Sequence, residues 1–278
     1  MPGPIPRLRR SVREGPSDAP GAVIDALGRI GLIGYGLVHL VLGWLALRVA
    51  FGVTAAQADA DGAVGAVASA PGGLVTLGVG AVGLLAFTVW QLTAAAVGFR
   101  WVTGFERTRK RVGAVAKAIA TCALAAVVAD YLVGVQRPEG ESTARELAAA
   151  LLVLPAGRLV LGAVAATVLT LAAAMTYTGL RRTFLGDLDL SDVGPRTRAA
   201  VEWLGIAGHL SRALALGVVG VLTARAALMS EPARAGGIDA ALHALGSTVL
   251  GTSVLVLVAV GIAAFGLFCL ADAATRRA

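Results

Sequence analysis

Six polar side chains stand inside long apolar stretches and are the first candidates for chemistry: Tyr35, Arg48, Lys117, Asp130, Arg212 and Arg225. Charge in such a stretch is costly in hydrocarbon, so it marks a functional site by default. An internal repeat, set out below, sorts the six into two sets. Tyr35, Lys117 and Arg212 share one register, and Arg48, Asp130 and Arg225 share another. Should the stretches that carry them surround an axis, the sets form two rings, mostly cationic with one carboxylate. Such a lining suits anionic solutes or lipid headgroups. The simpler alternative is that Lys and Arg near the ends of membrane helices reach back to the interface, with Asp130 paired to Arg48 or Arg225 for structural reasons.

His39 and His209 raise the idea of haem, since two histidines on facing helices can ligate one iron. The repeat register argues against it. His39 corresponds to Leu216, well beyond His209, which puts the imidazoles ~10 Å apart in depth at ~1.5 Å per residue. His243 has no carboxylate–histidine cluster beside it, so zinc is not expected. Cys122 and Cys269 lie in separate apolar runs without ligand spacing and read as small buried hydrophobes. Phosphate-loop, nucleophile-elbow and zinc-protease motifs are absent from the sequence. Neither an enzyme nor a cofactor is expected.

The elements that hold these residues follow from composition. The chain has 278 residues, 57% hydrophobic and 15% charged, with 36 glycines. A soluble domain has about 25% charged residues to face water. Mean hydropathy is +0.79. A helix needs ~20 apolar residues to cross the hydrocarbon core. Six stretches meet that length: Ile30 to Phe51, Leu74 to Val97, Val112 to Val135, Leu159 to Leu180, Leu204 to Met229 and Val249 to Ala271. Pro71 and Pro155 stand just before the second and fourth, and Pro138, Pro195 and Pro232 fall in connections, where a residue without an amide donor fits. Trp101 and Trp203 flank connections as interface anchors, and Gln91 is placed to hydrogen-bond a neighbouring helix. Gly78, Gly83, Gly217 and Gly220 read as close helix contacts.

The net charge is +7. The basic residues stand in short blocks between apolar runs, which favours an anionic membrane surface over nucleic acid as partner. Arg7, Arg9, Arg10, Arg13 and Arg29 precede the first span, and Arg100, Arg107, Arg109, Lys110 and Arg111 follow the second. Arg181, Arg182, Arg196 and Arg198 follow the fourth, and Arg276 and Arg277 the sixth. The other side has Arg48, Arg137, Arg145, Arg158, Arg225 and Arg234, spread over three connections. The positive-inside rule then puts both termini in the cytoplasm.

Leu27-Gly28-Arg29-Ile30-Gly31 resembles Leu204-Gly205-Ile206-Ala207-Gly208, and Arg29-Ile30-Gly31 resembles Arg111-Val112-Gly113. Pro71-Gly72-Gly73-Leu74 corresponds to Pro155-Ala156-Gly157-Arg158, and Gly78 then meets Gly162. The chain therefore divides into a disordered cytoplasmic tail, 1–26, and three two-span units, 27–104, 105–186 and 187–278. Short surface helices are expected before each second span, at Asp61 to Ala68, Thr143 to Ala150 and Ile238 to Leu245. All units start on the same side, so the repeats are parallel and imply an axis along the membrane normal. The expected fold is all-α: a polytopic membrane protein whose six transmembrane helices form three parallel two-helix repeats with pseudo-threefold symmetry.

The Gly-rich start of span one, its Gly43-Trp44-Leu45-Ala46-Leu47-Arg48 end, and the Asp-Gly-Ala and Pro-Gly segments that follow resemble a bacterial membrane family catalogued as domain of unknown function 1206. The resemblance runs from Leu27 on, is clearest in unit one and weakest in unit two. It implies a multi-pass protein of the cytoplasmic membrane and supplies no activity or site. Two functions stay open. One is a non-enzymatic scaffold or lipid- or protein-binding bundle. The other is a small transporter or channel for an anionic solute along the pseudo-threefold axis.

Overall fold

Hydrocarbon offers the backbone no partner, so each apolar stretch must close its own amide–carbonyl bonds, which a helix does within one segment. The computed structural model describes residues 19–51, 64–65, 67–69, 71–99, 103–134, 140–236 and 249–276 and follows that rule. Its helices are α1 (Ala19–Ala50), α2 (Gly73–Val97), α3 (Gly104–Leu132), α4 (Gly140–Val153), α5 (Gly157–Arg181), α6 (Pro195–Met229) and α7 (Val249–Thr275). All but α4 are long and apolar enough to cross a membrane. The chain is a multi-pass, all-α membrane protein.

Several helices outrun the expected spans. α3 begins at Gly104 and α6 at Pro195, well ahead of Val112 and Leu204. The extensions are polar, and the Arg109–Glu106 pair at i,i+3 supports the first of them. Pro195 is not in a loop but opens α6, where its missing amide costs nothing. α1 starts at Ala19, so its first turns occupy the end of the segment read as a disordered tail.

The α4 helix covers the segment Thr143 to Ala150, where a short helix was expected. Of the one expected at Asp61 to Ala68, residues 64–65 and 67–68 are helical. The one at Ile238 to Leu245 lies outside the described residues.

The turns into α2 and α5 share a geometry. Gly72 and Ala156 both sit in the left-handed region, at φ 73° and 62°. The glycine after each is pressed on a carbonyl: a Cβ on Gly73 would lie 2.0 Å from the Val67 oxygen, and one on Gly157 1.9 Å from the Leu151 oxygen. Units one and two thus enter their second span by the same turn.

Packing runs in a row, α3–α2–α1–α7–α6–α5. The row curls. Tyr35 on α1 touches Arg212 on α6 across the inner side of α7, and the basic ends of α3 and α5 meet through side chains. Along their lengths α3 and α5 are not packed together. The neighbour order is that of a ring broken once, between the two spans of unit two. α5 is the least buried span, at 17% against 50% for α7.

Equivalent residues make equivalent contacts on both sides of that break. A Cβ on Gly31 would lie 2.1 Å from Phe87 Cβ, and one on Gly208 2.6 Å from Phe265 Cα. These close approaches join the hairpins of units one and three. The corresponding Gly113 in unit two meets nothing within 4 Å. Gly43 abuts Ala263 on α7, and Gly220 abuts Leu169 on α5. Ala125, in the same register, is buried with Leu84 and Val128 between α2 and α3. Small residues let helix backbones approach where apolar surface alone drives no association. Gly78 and Gly217, read as contacts, face open space, whereas Gly83 touches Ile30. Cys269 is buried, but Cys122 is exposed.

Candidate functional site

The inner face of the curl, towards its basic end, holds an aromatic cluster. Phe265 on α7 is its centre. Tyr35 and His39 from α1 and His209 from α6 all pack edge-on against its ring, at centroid distances of 6.1, 4.9 and 5.3 Å. Phe268 and Phe184 extend the cluster, with Phe184 stacked on His209 at 5.1 Å. Phe184 belongs to a 3-10 turn, Thr183–Asp187, that folds back under the bundle after α5. Gly205 makes room for its ring.

Arg212 lies on this cluster. Its guanidinium carbon is 4.1 Å from the Phe265 centroid, and it donates a hydrogen bond to the Tyr35 hydroxyl at 2.8 Å. A cation over an aromatic face gains most where water is scarce. Two of the three residues in the first register therefore meet directly. Lys117 does not join them. It has no ion pair or side-chain hydrogen bond among the described residues and is exposed. The charges it faces are Arg276, Asp187, Asp272 and Arg212. They come from α6, from the end of α7 and from the 3-10 turn, and neither of those two spans packs along α3. Lys117 lies two turns beyond Lys110 on one face of α3, the face from which Lys110 reaches Asp187.

Arg48 stacks on Trp44 one turn back, at 4.8 Å. Asp130 is half-buried, and Arg225 is exposed.

The histidines are structural in geometry. His39 Nδ1 is 2.8 Å from the Tyr35 carbonyl and His209 Nδ1 2.7 Å from the Gly205 carbonyl, each one turn back on its own helix. Both rings pack edge-on against Phe265. Among the described residues no three His, Cys, Asp or Glu side chains gather as a metal site.

Several contacts at the basic end were not read from sequence. Lys110 Nζ is 2.7 Å from Asp187 Oδ1. Arg109 donates to Thr178 and Thr183 at 3.2 and 3.3 Å and covers the Tyr177 ring. Together they bind the start of α3 to the end of α5. The Asp189 amide donates to the Thr275 carbonyl at 2.6 Å, and Leu188 bridges Arg276. Arg29 donates to the Ala273, Ala274 and Arg276 carbonyls, which satisfies the open end of α7. Asp272 is buried, with Oδ1 3.5 Å from Arg276 Nε. It stands one residue beyond the expected end of span six, and a carboxylate at the margin of a run that apolar was the available signal.

The interhelical hydrogen bond between α2 and α3 joins the Thr88 and Thr121 hydroxyls at 2.8 Å. Gln91, to which that role was assigned, is 1% exposed, and its Nε2 reaches no acceptor among the described residues.

Comparison with known proteins follows the same division. The family described as Domain of Unknown Function (DUF1206) matches residues 30–98 and 207–276. Those segments are the closed hairpins α1–α2 and α6–α7, a pattern compatible with a repeat. The chain is 24% identical over 251 residues to an uncharacterised protein, YxxB, of Bacillus subtilis (strain 168), covering 89% of each. No solved structure matches it significantly. With half of its length matched, in the two units where glycine and phenylalanine lock the hairpins, the chain belongs to the DUF1206 family.

Proposed function

We propose that the protein is a non-enzymatic helical bundle of the cytoplasmic membrane that binds anionic lipid headgroups. The observation that carries this reading is Lys117, a cation on the inner face of an incomplete ring with no ion partner among the described residues. Intramembrane charge that no structural pairing accounts for is the usual mark of a ligand site. Arg212 adds a second cation fixed by Tyr35 and Phe265. Both termini then face the cytoplasm, with the basic end of the bundle, and the exposed arginines there meet the anionic leaflet. Nothing in the cluster pairs a nucleophile with a base, so binding is preferred to catalysis.

Native mass spectrometry of the purified chain with added phosphatidylglycerol or phosphatidylcholine tests the reading. Preferential retention of phosphatidylglycerol, lost in the Lys117→Gln, Arg212→Gln double variant, is the expected result. Equal retention of both lipids sinks it.

A second reading is passage of an anionic solute along the axis, as a small transporter or channel. It draws on the two registers of ionisable residues at different depths. Anion flux into proteoliposomes, abolished by Lys117→Gln, would favour it over binding alone.

A further inference from the structure

We infer that the inner site takes the phosphate of an anionic phospholipid, admitted sideways through the gap between α3 and α5; this rests on the binding reading above.

The free cations decide the ligand. Several other basic groups at this end are committed: Lys110 to Asp187, Arg109 to Glu106, Arg182 to Glu202, and Arg29 to backbone carbonyls. Arg276 pairs with Asp272 and covers Trp90. Lys117 has no such commitment, and Arg212 gives one amine to Tyr35 and keeps the rest of its fork. With Asp187 and Asp272 each matched by a cation, the inner face is left net positive. A planar fork and a point ammonium, with the Tyr35 hydroxyl between helices, is a donor set for tetrahedral phosphate oxygens.

The packing decides the route. The basic end is shut by the 3-10 turn, whose Phe184 is buried, by the Lys110–Asp187 pair and by the Leu188–Arg276 bridge. The flank between α3 and α5 is not. Unit two keeps the glycine that locks the other two hairpins, yet Gly113 faces open space where Gly31 and Gly208 each meet a phenylalanine. Val115 and Ile119, on the side of α3 turned from Lys117, and Leu180, at the same end of the bundle on α5, are exposed apolar side chains that keep acyl chains in hydrocarbon. A headgroup can reach Lys117 while its tails stay in the bilayer.

The test uses the full chain in phosphatidylcholine nanodiscs, titrated with fluorescent phosphatidylglycerol, with inorganic phosphate as competitor. Wild type is expected to bind the probe saturably, and excess inorganic phosphate to leave that binding unchanged. Gly113→Phe, which fills the gap, and Lys117→Gln are each expected to weaken binding about tenfold. Gly113→Leu serves if the larger ring prevents folding. Wild-type binding by a folded Gly113 variant, alongside a weakened Lys117→Gln, overturns the lateral route and leaves the binding reading standing. Wild-type binding by Lys117→Gln overturns both. Displacement of the probe by inorganic phosphate assigns the site to a free anion and overturns the lipid. On wild type, a phosphatidylglycerol with a photoreactive acyl chain should mark α3 and α5; adducts confined to the other helices overturn the route.

Discussion

Arg212 on α6 and Tyr35 on α1, 177 residues apart, are joined by a 2.8 Å hydrogen bond beneath the ring of Phe265. They hold the same register in two repeats, and their contact ties unit three to unit one on the inner face. A hydrogen bond to a charged group contributes about 1.5–3 kcal/mol. Tyr35→Phe should therefore lower stability by about 1–2 kcal/mol, and Arg212→Gln by more, since it also removes the cation over Phe265. Their effects should be less than additive. Denaturant titration of both single variants and the double in detergent micelles measures this, and strict additivity would contradict the pairing.

The glycines of the hairpin register should respond differently to the same change. Gly31→Ala and Gly208→Ala force a Cβ against Phe87 and Phe265, and overpacking of this kind costs about 1–3 kcal/mol. Gly113→Ala has open space and should be neutral or stabilising by up to about 1 kcal/mol from helix propensity. Thermal melts followed by tryptophan fluorescence rank the three. A loss at Gly113 equal to that at Gly31 would mean that α3 and α5 are closed.

Ala156 occupies the left-handed region that its counterpart Gly72 takes without a Cβ. A left-handed residue with a side chain costs roughly 1–2 kcal/mol. Ala156→Gly should therefore stabilise by about 0.5–1 kcal/mol, and Gly72→Ala should destabilise by about as much. An unchanged melting temperature for both variants would show that the turns are not held as described.

The Lys110–Asp187 pair is mostly buried, with side chains 12% and 19% exposed. Its removal should fall between the surface and interior cases, at about 1–3 kcal/mol for Asp187→Asn. The same variant should loosen the start of α3 from the end of α5. Faster hydrogen exchange across residues 183–190, with α1 and α7 unaffected, is the expected signature.

Thr88→Val and Thr121→Val each break the hydroxyl contact between α2 and α3. Interhelical hydrogen bonds in membranes average about 0.6 kcal/mol, so these losses should be small beside those at Gly31. A loss several times larger would show that the α2–α3 pair relies on this contact rather than on its apolar seam.

Much of this was legible in the order of residues. The turn geometry shared by Gly72 and Ala156 follows the Pro-Gly-Gly and Pro-Ala-Gly strings, because a left-handed residue followed by one without a Cβ leaves a local trace. Tyr35 and Arg212 were placed in one register by counting from Gly28 and Gly205. The clasp of Arg109, Lys110 and Asp187 was not legible. Its members lie in polar segments where a charge that pairs and a charge that faces water look alike. Gln91 is a related case: a buried amide advertises a partner, yet its Nε2 reaches no acceptor among the described residues, and Thr88 one turn away bonds α3.

The sequence alone determined the spans, since lipid leaves an apolar run of that length no state but helix, and its similar strings at Gly72 and Ala156 fold into equal turns. It carried Gly113 in the same register as Gly31 and Gly208. Only the tertiary structure decided that Gly31 and Gly208 meet a phenylalanine and Gly113 meets nothing. Close approach depends on what the opposite helix presents, and no residue's own identity states that. The parted hairpin, with Lys117 on its inner side, is the result.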